Sequence, residues 1–176
     1  MTPLSSRELC LRPYEEGDAA AFAAAVRESV ATVGRWMPWC HDGYTLADAL
    51  DWFAFCARER ASGAAHEFGV FSADGGELLG GAGLNQINRQ HNFCNLGYWV
   101  RQSRQRRGVA TRAVQALAAF GFAELALTRI EIVVAQGNAP SDAVARKAGG
   151  HFECLARNRL LVDGQPVAAS VFALFP

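Results

Sequence analysis

Arg104-Gln105-Arg106-Arg107-Gly108-Val109-Ala110-Thr111 joins guanidinium charge to a small-residue turn, just where an apolar helical period begins. The first turn of a helix leaves backbone N–H groups without internal partners, and the helix dipole adds positive potential there. An anion is the natural guest. Gly108 and Ala110 keep the approach open, since larger side chains would hold phosphates away from the backbone. Between Arg101 and Ala123 stand five arginines and no acidic residue, although the 176-residue chain has a formal net charge of zero. The surplus is local and predicts a polyanionic guest. The turn has neither the GK[ST] ending of a triphosphate loop nor the glycine spacing and downstream acid of a dinucleotide fold, so those ligands are disfavoured. RNA phosphates could use the same charge without any catalysis. The run lacks the interleaved aromatics of a dedicated RNA reader, however.

The elements that must position this turn follow from hydrophobic period. Residues 7–13 alternate as a first strand, and Asp18 can cap an alanine-rich helix running to about Glu28. Gly34-Arg35-Trp36-Met37-Pro38-Trp39 reads as a loop whose two tryptophans suit the lining of a pocket. Thr45 with Asp48 forms a capping-box pattern that opens a second helix, with Leu46, Leu50, Phe53 and Ala57 on one face. Residues 68–71, 78–84 and 93–100 read as an antiparallel meander, turned at Asp74-Gly75-Gly76 and at the polar stretch 88–92. Ala110, Val114, Leu117 and Phe120 then space out as a helix over 108–123, followed by a β-branched strand at 130–134 and a short helix over 139–147. A strand, helix, strand crossover makes the strands at 93–100 and 130–134 parallel. Two last strands, 152–162 and 167–174, turn at Asp163-Gly164. The expectation is a mixed α/β (α+β) domain over 1–176: a mostly antiparallel central sheet with helices on both faces and two splayed parallel strands in the middle. Parallel neighbours that diverge at their carboxyl ends leave a cleft with unpaired backbone groups. Gly97 suits a bulge that opens it.

Composition excludes several classes. Half of the residues are hydrophobic, and the longest apolar stretch, 116–123, is far short of a membrane span. A cytoplasmic protein is expected. Five separated cysteines without a CxxC pair, and four histidines without HxxxH, predict buried reduced thiols with no metal site and no disulfide framework. Sixteen of the seventeen basic residues are arginine, Lys147 being the exception.

Several pieces in order carry a family resemblance that spans nearly the whole chain. Gln105-x-x-Gly108-x-Ala110 resembles the acyl-coenzyme A signature Q/R-x-x-G-x-G/A of the GNAT acetyltransferase superfamily. Asn95-Leu96-Gly97-Tyr98-Trp99-Val100 is similar to the family's fourth strand, and Thr128-Arg129-Ile130-Glu131 to its fifth. Asn138-x-x-Ser141, followed by Lys147-Ala148-Gly149, is similar to its N-x-x-S helix and K-x-G ending. Trp36-Met37-Pro38-Trp39 and Gly97-Tyr98-Trp99 resemble the ribosomal-protein amino-terminal acetyltransferases of the RimJ/RimL type.

The resemblance implies acetyl-CoA as co-substrate, without a metal. It places the diphosphate on Gln105, Arg106, Arg107, Gly108, Val109, Ala110 and Thr111, and the pantetheine arm as a false strand along Tyr98, Trp99 and Val100. Asn138 and Ser141 border its far end. Transfer to an amine needs a neutral nucleophile, a stabilised oxyanion and a proton for the departing thiolate. Ser141 is the implied proton donor, although a serine capping its helix with Asn138 would read the same way. Glu131 is the candidate base, and a carboxylate paired with Arg129 is the alternative. Trp36 and Trp39 are expected at the acceptor site. The family's acceptor side usually carries an acid on the last strand, where this chain has Val167-Ala168-Ala169. An α-amine, with a reference pKa of about 8, costs roughly 3 kcal/mol less to deprotonate than a lysine at about 10.4. Where no strong base is present this favours an amino terminus, and the RimJ/RimL resemblance implies that of a protein such as a ribosomal protein. A polyamine, an antibiotic or another small amine stays open, as do monomer and homodimer; nucleic acid enters only through a ribosomal substrate, and no membrane is involved.

Overall fold

The capping box at Thr45 forms as its spacing demands: the hydroxyl accepts from the Asp48 N–H at 3.2 Å, and the Asp48 carboxylate accepts from the Thr45 N–H at 2.7 Å. Similar local rules set most element ends. The computed structural model describes residues 4–5 and 8–176. The chain runs β1 (Leu4–Ser5), β2 (Leu9–Arg12), α1 (Ala19–Glu28), α2 (Leu46–Ser62), β3 (His66–Ser72), β4 (Leu78–Asn88), β5 (Phe93–Val100), α3 (Val109–Ala123), β6 (Arg129–Ala135), α4 (Ala139–Lys147), β7 (His151–Val162) and β8 (Gln165–Leu174). The first expected strand is β2; Arg7, its expected start, lies outside the described residues. Asp163 and Gly164 turn β7 into β8 with φ of 50° and 73°, the two positive values that a tight hairpin needs.

The sheet order is β1-β2-β3-β4-β5-β6-β8-β7, and β5 with β6 is the parallel pair among antiparallel neighbours. Strand alternation sends one set of side chains to each face. On one face Val114, Leu117 and Phe120 of α3 pack with Leu84, Leu96, Ile130, Ile132 and Phe172. On the other, Phe22 and Val26 of α1 and Phe53 of α2 pack with Phe71, Leu78 and Trp99. Helices on both faces are thus required by both faces being apolar.

Three local expectations fail. Asp18 precedes α1 without capping it, because its carboxylate accepts from Arg12 at 2.7 Å and from the Glu15 N–H at 2.8 Å. The buried face of α2 is Ala49, Phe53 and Cys56, whereas Leu46 is 51% exposed and Ala57 is also exposed. Phe53 sets this rotation by stacking on Tyr14, with ring centroids 4.6 Å apart, and meeting Phe22 edge-on. The spacing of apolar letters could not choose between two faces of a helix that carries Trp52, Phe53, Phe55 and Cys56 together. Nor does Gly97 form a bulge. The β4/β5 register runs unbroken from Gly80↔Val100 to Asn85↔Asn95 and shifts only between Asn85 and Asn88, where Gln86 has φ 51°. Of the cysteines, Cys40, Cys56 and Cys94 are buried, Cys10 is intermediate and Cys154 is exposed.

Candidate active site

The parallel pair sets the geometry. β5 and β6 are in register only at Phe93↔Arg129, Cys94↔Ile130 and Asn95↔Glu131. Beyond Asn95, β5 stays with β4 as far as Val100, while β6 stays with β8 as far as Ala135. The sheet therefore opens into a V between two strands that each keep one neighbour. The Arg101 N–H donates to the Leu79 carbonyl at 2.8 Å, which marks the rung at which β5 bonds β4. By antiparallel alternation the backbone groups of Trp99 and Gly97 also face β4, and those of Tyr98 and Val100 face the V. The backbone of Trp99, expected to meet the ligand, is thus turned to β4, and that of Tyr98 and Val100 lines the V.

Gln105 closes the top of β5. Its side-chain amide donates to the Val100 carbonyl at 3.0 Å and to the Thr32 hydroxyl at 3.0 Å. The signature glutamine thus ties the turn before α3 to the strand end. The turn then alternates in hand, with Arg106 at φ 61° and Gly108 at φ 73°. Such alternation curves successive N–H groups around a concavity that suits an anion. Gly108 is the N-cap of α3 and no side chain caps the helix. Among the described residues no backbone N–H from Arg106 to Thr111 donates to a protein acceptor. A diphosphate fits this cradle of bare amides.

The arginine surplus is smaller than the sequence suggests. Arg101 pairs with Glu28 at 2.5 Å, Arg104 with Glu77 at 2.7 Å and Arg112 with Glu8 at 2.9 Å. Arg106 and Arg107 are exposed and make no ion pair among the described residues. These two supply the unpaired positive charge beside the cradle among the described residues.

Across the V stands α4. Asn138 accepts from the Ser141 N–H at 3.3 Å as the helix N-cap. The Ser141 hydroxyl lies 2.9 Å from the Tyr98 hydroxyl, which also donates to the Ser141 carbonyl at 3.0 Å. Burial is the main cause that pushes the Tyr98 phenol up to about 12, with the Ser141 bond opposing it. Both hydroxyls stay protonated at neutral pH and can pass a proton between them.

The face beyond the V, under α1 and α2, holds a cavity of about 270 Å³ lined by Tyr14, Phe22, Met37, Trp39, Trp52 and Trp99, with Glu67 and Asn85 among its few polar groups. Its floor carries no side chains at Gly81 and Gly97. Trp39 closes one wall, its ring centroid 5.6 Å from that of Trp99. Trp36 lies elsewhere: a Cβ at Gly137 would meet its ring at 3.8 Å, so it spans from the loop after α1 to the turn after β6. The structure brings Trp39 to the cavity and leaves Trp36 at the mouth of the V.

Two carboxylates differ in their surroundings. Glu131, the base expected from sequence, accepts from Arg129 at 3.0 Å, and Arg129 also holds Glu153. Glu67, on β3, was not singled out by sequence. It is partly buried with its open side on the cavity, and Asn85 donates to it at 3.0 Å. Burial is the main cause that raises its pKa, opposed by the Asn85 hydrogen bond and the charge of Arg60. A lone glutamate in His66-Glu67-Phe68 carries no motif; only its register opposite Gly83 could have drawn attention.

Comparison with known proteins places this geometry. Residues 8–151 match the model of the acetyltransferase (GNAT) domain family. The chain is 28% identical over 164 residues to YdaF of Bacillus subtilis, provisionally named a ribosomal N-acetyltransferase, covering 90% of this chain and 86% of that one. A Vibrio cholerae structure, provisionally named a ribosomal-protein-serine acetyltransferase, superposes with TM-score 0.87 at 32% identity over 99% of this chain and 98% of its own. Mycobacterium smegmatis RimJ, in complex with a CoA disulfide, superposes with TM-score 0.89 at 25% identity, over 99% and 90% of the two chains. The V between β5 and β6, the bare amides that open α3 and the matched domain lead to one assignment: the chain belongs to the GNAT acetyltransferase family.

Proposed function

We propose that this enzyme transfers an acetyl group from acetyl-CoA to the α-amino group of a protein in the cytoplasm, with a ribosomal protein as the acceptor class. The names of the Bacillus subtilis and Vibrio cholerae relatives support the acceptor class. The observation that carries the reading is the parting of β5 from β6 after Asn95, directly before a helix start whose amides have no protein partner among the described residues. Bound there, the thioester would supply an activated acetyl group. The amides of Arg106–Thr111, with the charges of Arg106 and Arg107, hold the diphosphate. Gln105 keeps Val100 in place and so fixes the strand end against which the pantetheine amides pair. The backbone groups of Tyr98 and Val100 face the V, where an N–H can bind the developing oxyanion. Ser141, hydrogen-bonded to Tyr98, delivers a proton to the leaving sulfur. The acceptor enters on the other face of β5, through the aromatic cavity beside Gly97.

The test is a CoA-release assay against peptides that differ only in their first residue, with free lysine, a polyamine and small aromatic amines alongside. Turnover confined to peptides with a free amino terminus is the expected result. Turnover of small amines with no peptide activity would overturn the acceptor class.

A further inference from the structure

We infer that Glu67 is the residue that receives the acceptor's ammonium group and takes its proton, and that Asn85 and Asn95 hold it in position. The inference rests on the proposed function, since it assigns the acceptor side of that same site. Four observations converge on Glu67.

The first is place. Glu67 lies on β3 and shares the cavity with Gly97 and Tyr98 of β5, the strand whose opposite edge faces the V. Between Glu67 and the V lie β4 and β5, and the cavity that Glu67 lines reaches across both to Gly97 and Tyr98. The second is an ordered chain of hydrogen bonds. The Asn95 amide donates to the Asn85 carbonyl oxygen at 2.9 Å, and the Asn85 amide donates to Glu67 at 3.0 Å. Asn95 is also the last residue of β5 in register with β6, so the chain starts at the apex of the V. The third is that the sheet gives up a side chain to make room. A Cβ at Gly83 would lie 1.9 Å from a Glu67 carboxylate oxygen, so only glycine opposite this residue leaves the carboxylate where it stands. The fourth is solvation. The cavity it lines is mostly aromatic, and among the described residues Asn85 is the side chain that donates to the carboxylate. An acid with room for more hydrogen bonds, in an apolar chamber that opens outward, is completed by a cation of small size.

Three titratable groups face it: Tyr14 from the loop before α1, and Cys56 and Arg60 from α2. Burial raises the Tyr14 phenol well above its ordinary value and the Cys56 thiol to about 12, so both stay neutral through the working range. Arg60 donates to the Glu67 backbone carbonyl. Glu67 is thus the facing group able to change charge between acid and neutral pH. The proton balance closes. An ammonium group gives one proton to Glu67, which frees the nitrogen lone pair for the new C–N bond as the C–S bond breaks. The sulfur takes a proton from the Ser141–Tyr98 hydroxyl pair, and that pair recovers it from the nitrogen as the amide forms. Glu67 returns its own proton to solvent.

The decisive variant is Glu67→Gln, which keeps the shape and removes the charge. With an acceptor peptide found for the wild type, kcat/KM at pH 7 should fall about 100-fold or more. The deficit should shrink as pH rises through the α-amine's own titration, because free amine then arrives without help. The thermal shift given by CoA should be unchanged, which a general loss of structure would not allow. A kcat/KM within threefold of wild type, with the same pH profile, overturns the inference. Should Glu67→Gln fail to fold, Gly97→Ala replaces it: the added Cβ finds only the Asn85 amide at 3.8 Å, so it enters the cavity without a clash. It should raise the acceptor's KM several-fold and leave that of acetyl-CoA unchanged; an unchanged acceptor KM overturns the placement. A wild-type enzyme that releases no CoA with any acceptor overturns the proposed function and this assignment together. Wild-type turnover with an undiminished glutamine variant overturns this assignment alone.

Discussion

Gly83→Ala offers a sharp test of how β4 accommodates Glu67. The new Cβ would stand 1.9 Å from one carboxylate oxygen and 2.3 Å from the carboxyl carbon, so the two cannot coexist as placed. Two responses compete. If the carboxylate stayed, the overpacked contact would cost several kcal/mol, toward or beyond the upper end of the usual range of about 1–3. If it swings into the adjacent cavity of about 270 Å³, it gives up the hydrogen bond from Asn85, a bond to a charged group whose loss costs about 1.5–3 kcal/mol. The clash falls on the far end of a side chain beside open space, so the swing is the cheaper response. The predicted destabilisation is therefore about 1.5–3 kcal/mol. In a Glu67→Ala background the same substitution meets no carboxylate, and its cost should drop to about 0.5 kcal/mol or less. The assay is urea unfolding of the four proteins of this double-mutant cycle, followed by tryptophan fluorescence, with m-values checked for constancy. A coupling energy of about 1 kcal/mol or more supports the reasoning. Equal costs of Gly83→Ala in both backgrounds would refute it, since the glycine would then serve the strand rather than the acid.

Two further expectations concern charge. Arg106→Ala and Arg107→Ala should each weaken CoA binding about three- to tenfold, more at low salt than at high, with Tm unmoved because neither guanidinium holds an ion pair among the described residues; titration calorimetry at two salt concentrations checks this. Glu67 has its folded pKa raised, so its favourable contribution is fully present below the ordinary carboxylate range and is lost as pH rises through the folded value. The Tm of Glu67→Gln minus that of wild type should therefore be larger at pH 8 than at pH 4, and a difference independent of pH would count against the burial of this acid.

The parts of the site that sit on contiguous residues were legible. The helix start at Gly108, the N-cap at Asn138 and the capping box at Thr45 each depend on neighbours within four positions, where turn chemistry dominates. What depends on register was not. Glu67, Gly83, Asn85 and Asn95 come from three strands, and only pairings such as Glu67↔Gly83 and Asn85↔Asn95 bring them together. The same limit applies to Gln105, whose place in the signature is local while its partners Thr32 and Val100 are brought to it by the fold. The arginine run misled in the opposite sense. Counting five guanidinium groups ignored Glu28, Glu77 and Glu8, acids distant in sequence that neutralise three of them.

The brevity of the β5/β6 ladder has a mechanical consequence. Three rungs, the packing of α3 and side-chain bonds such as Tyr98 to Ser141 couple the slab β1–β5 to the slab β6, β8 and β7. A molecule lodged along Tyr98 and Val100 and reaching α4 would act as mortar in this seam, lending the stitches the chain itself omits. Amide exchange should then slow on both banks of the seam when CoA is added, including strand residues that never touch it.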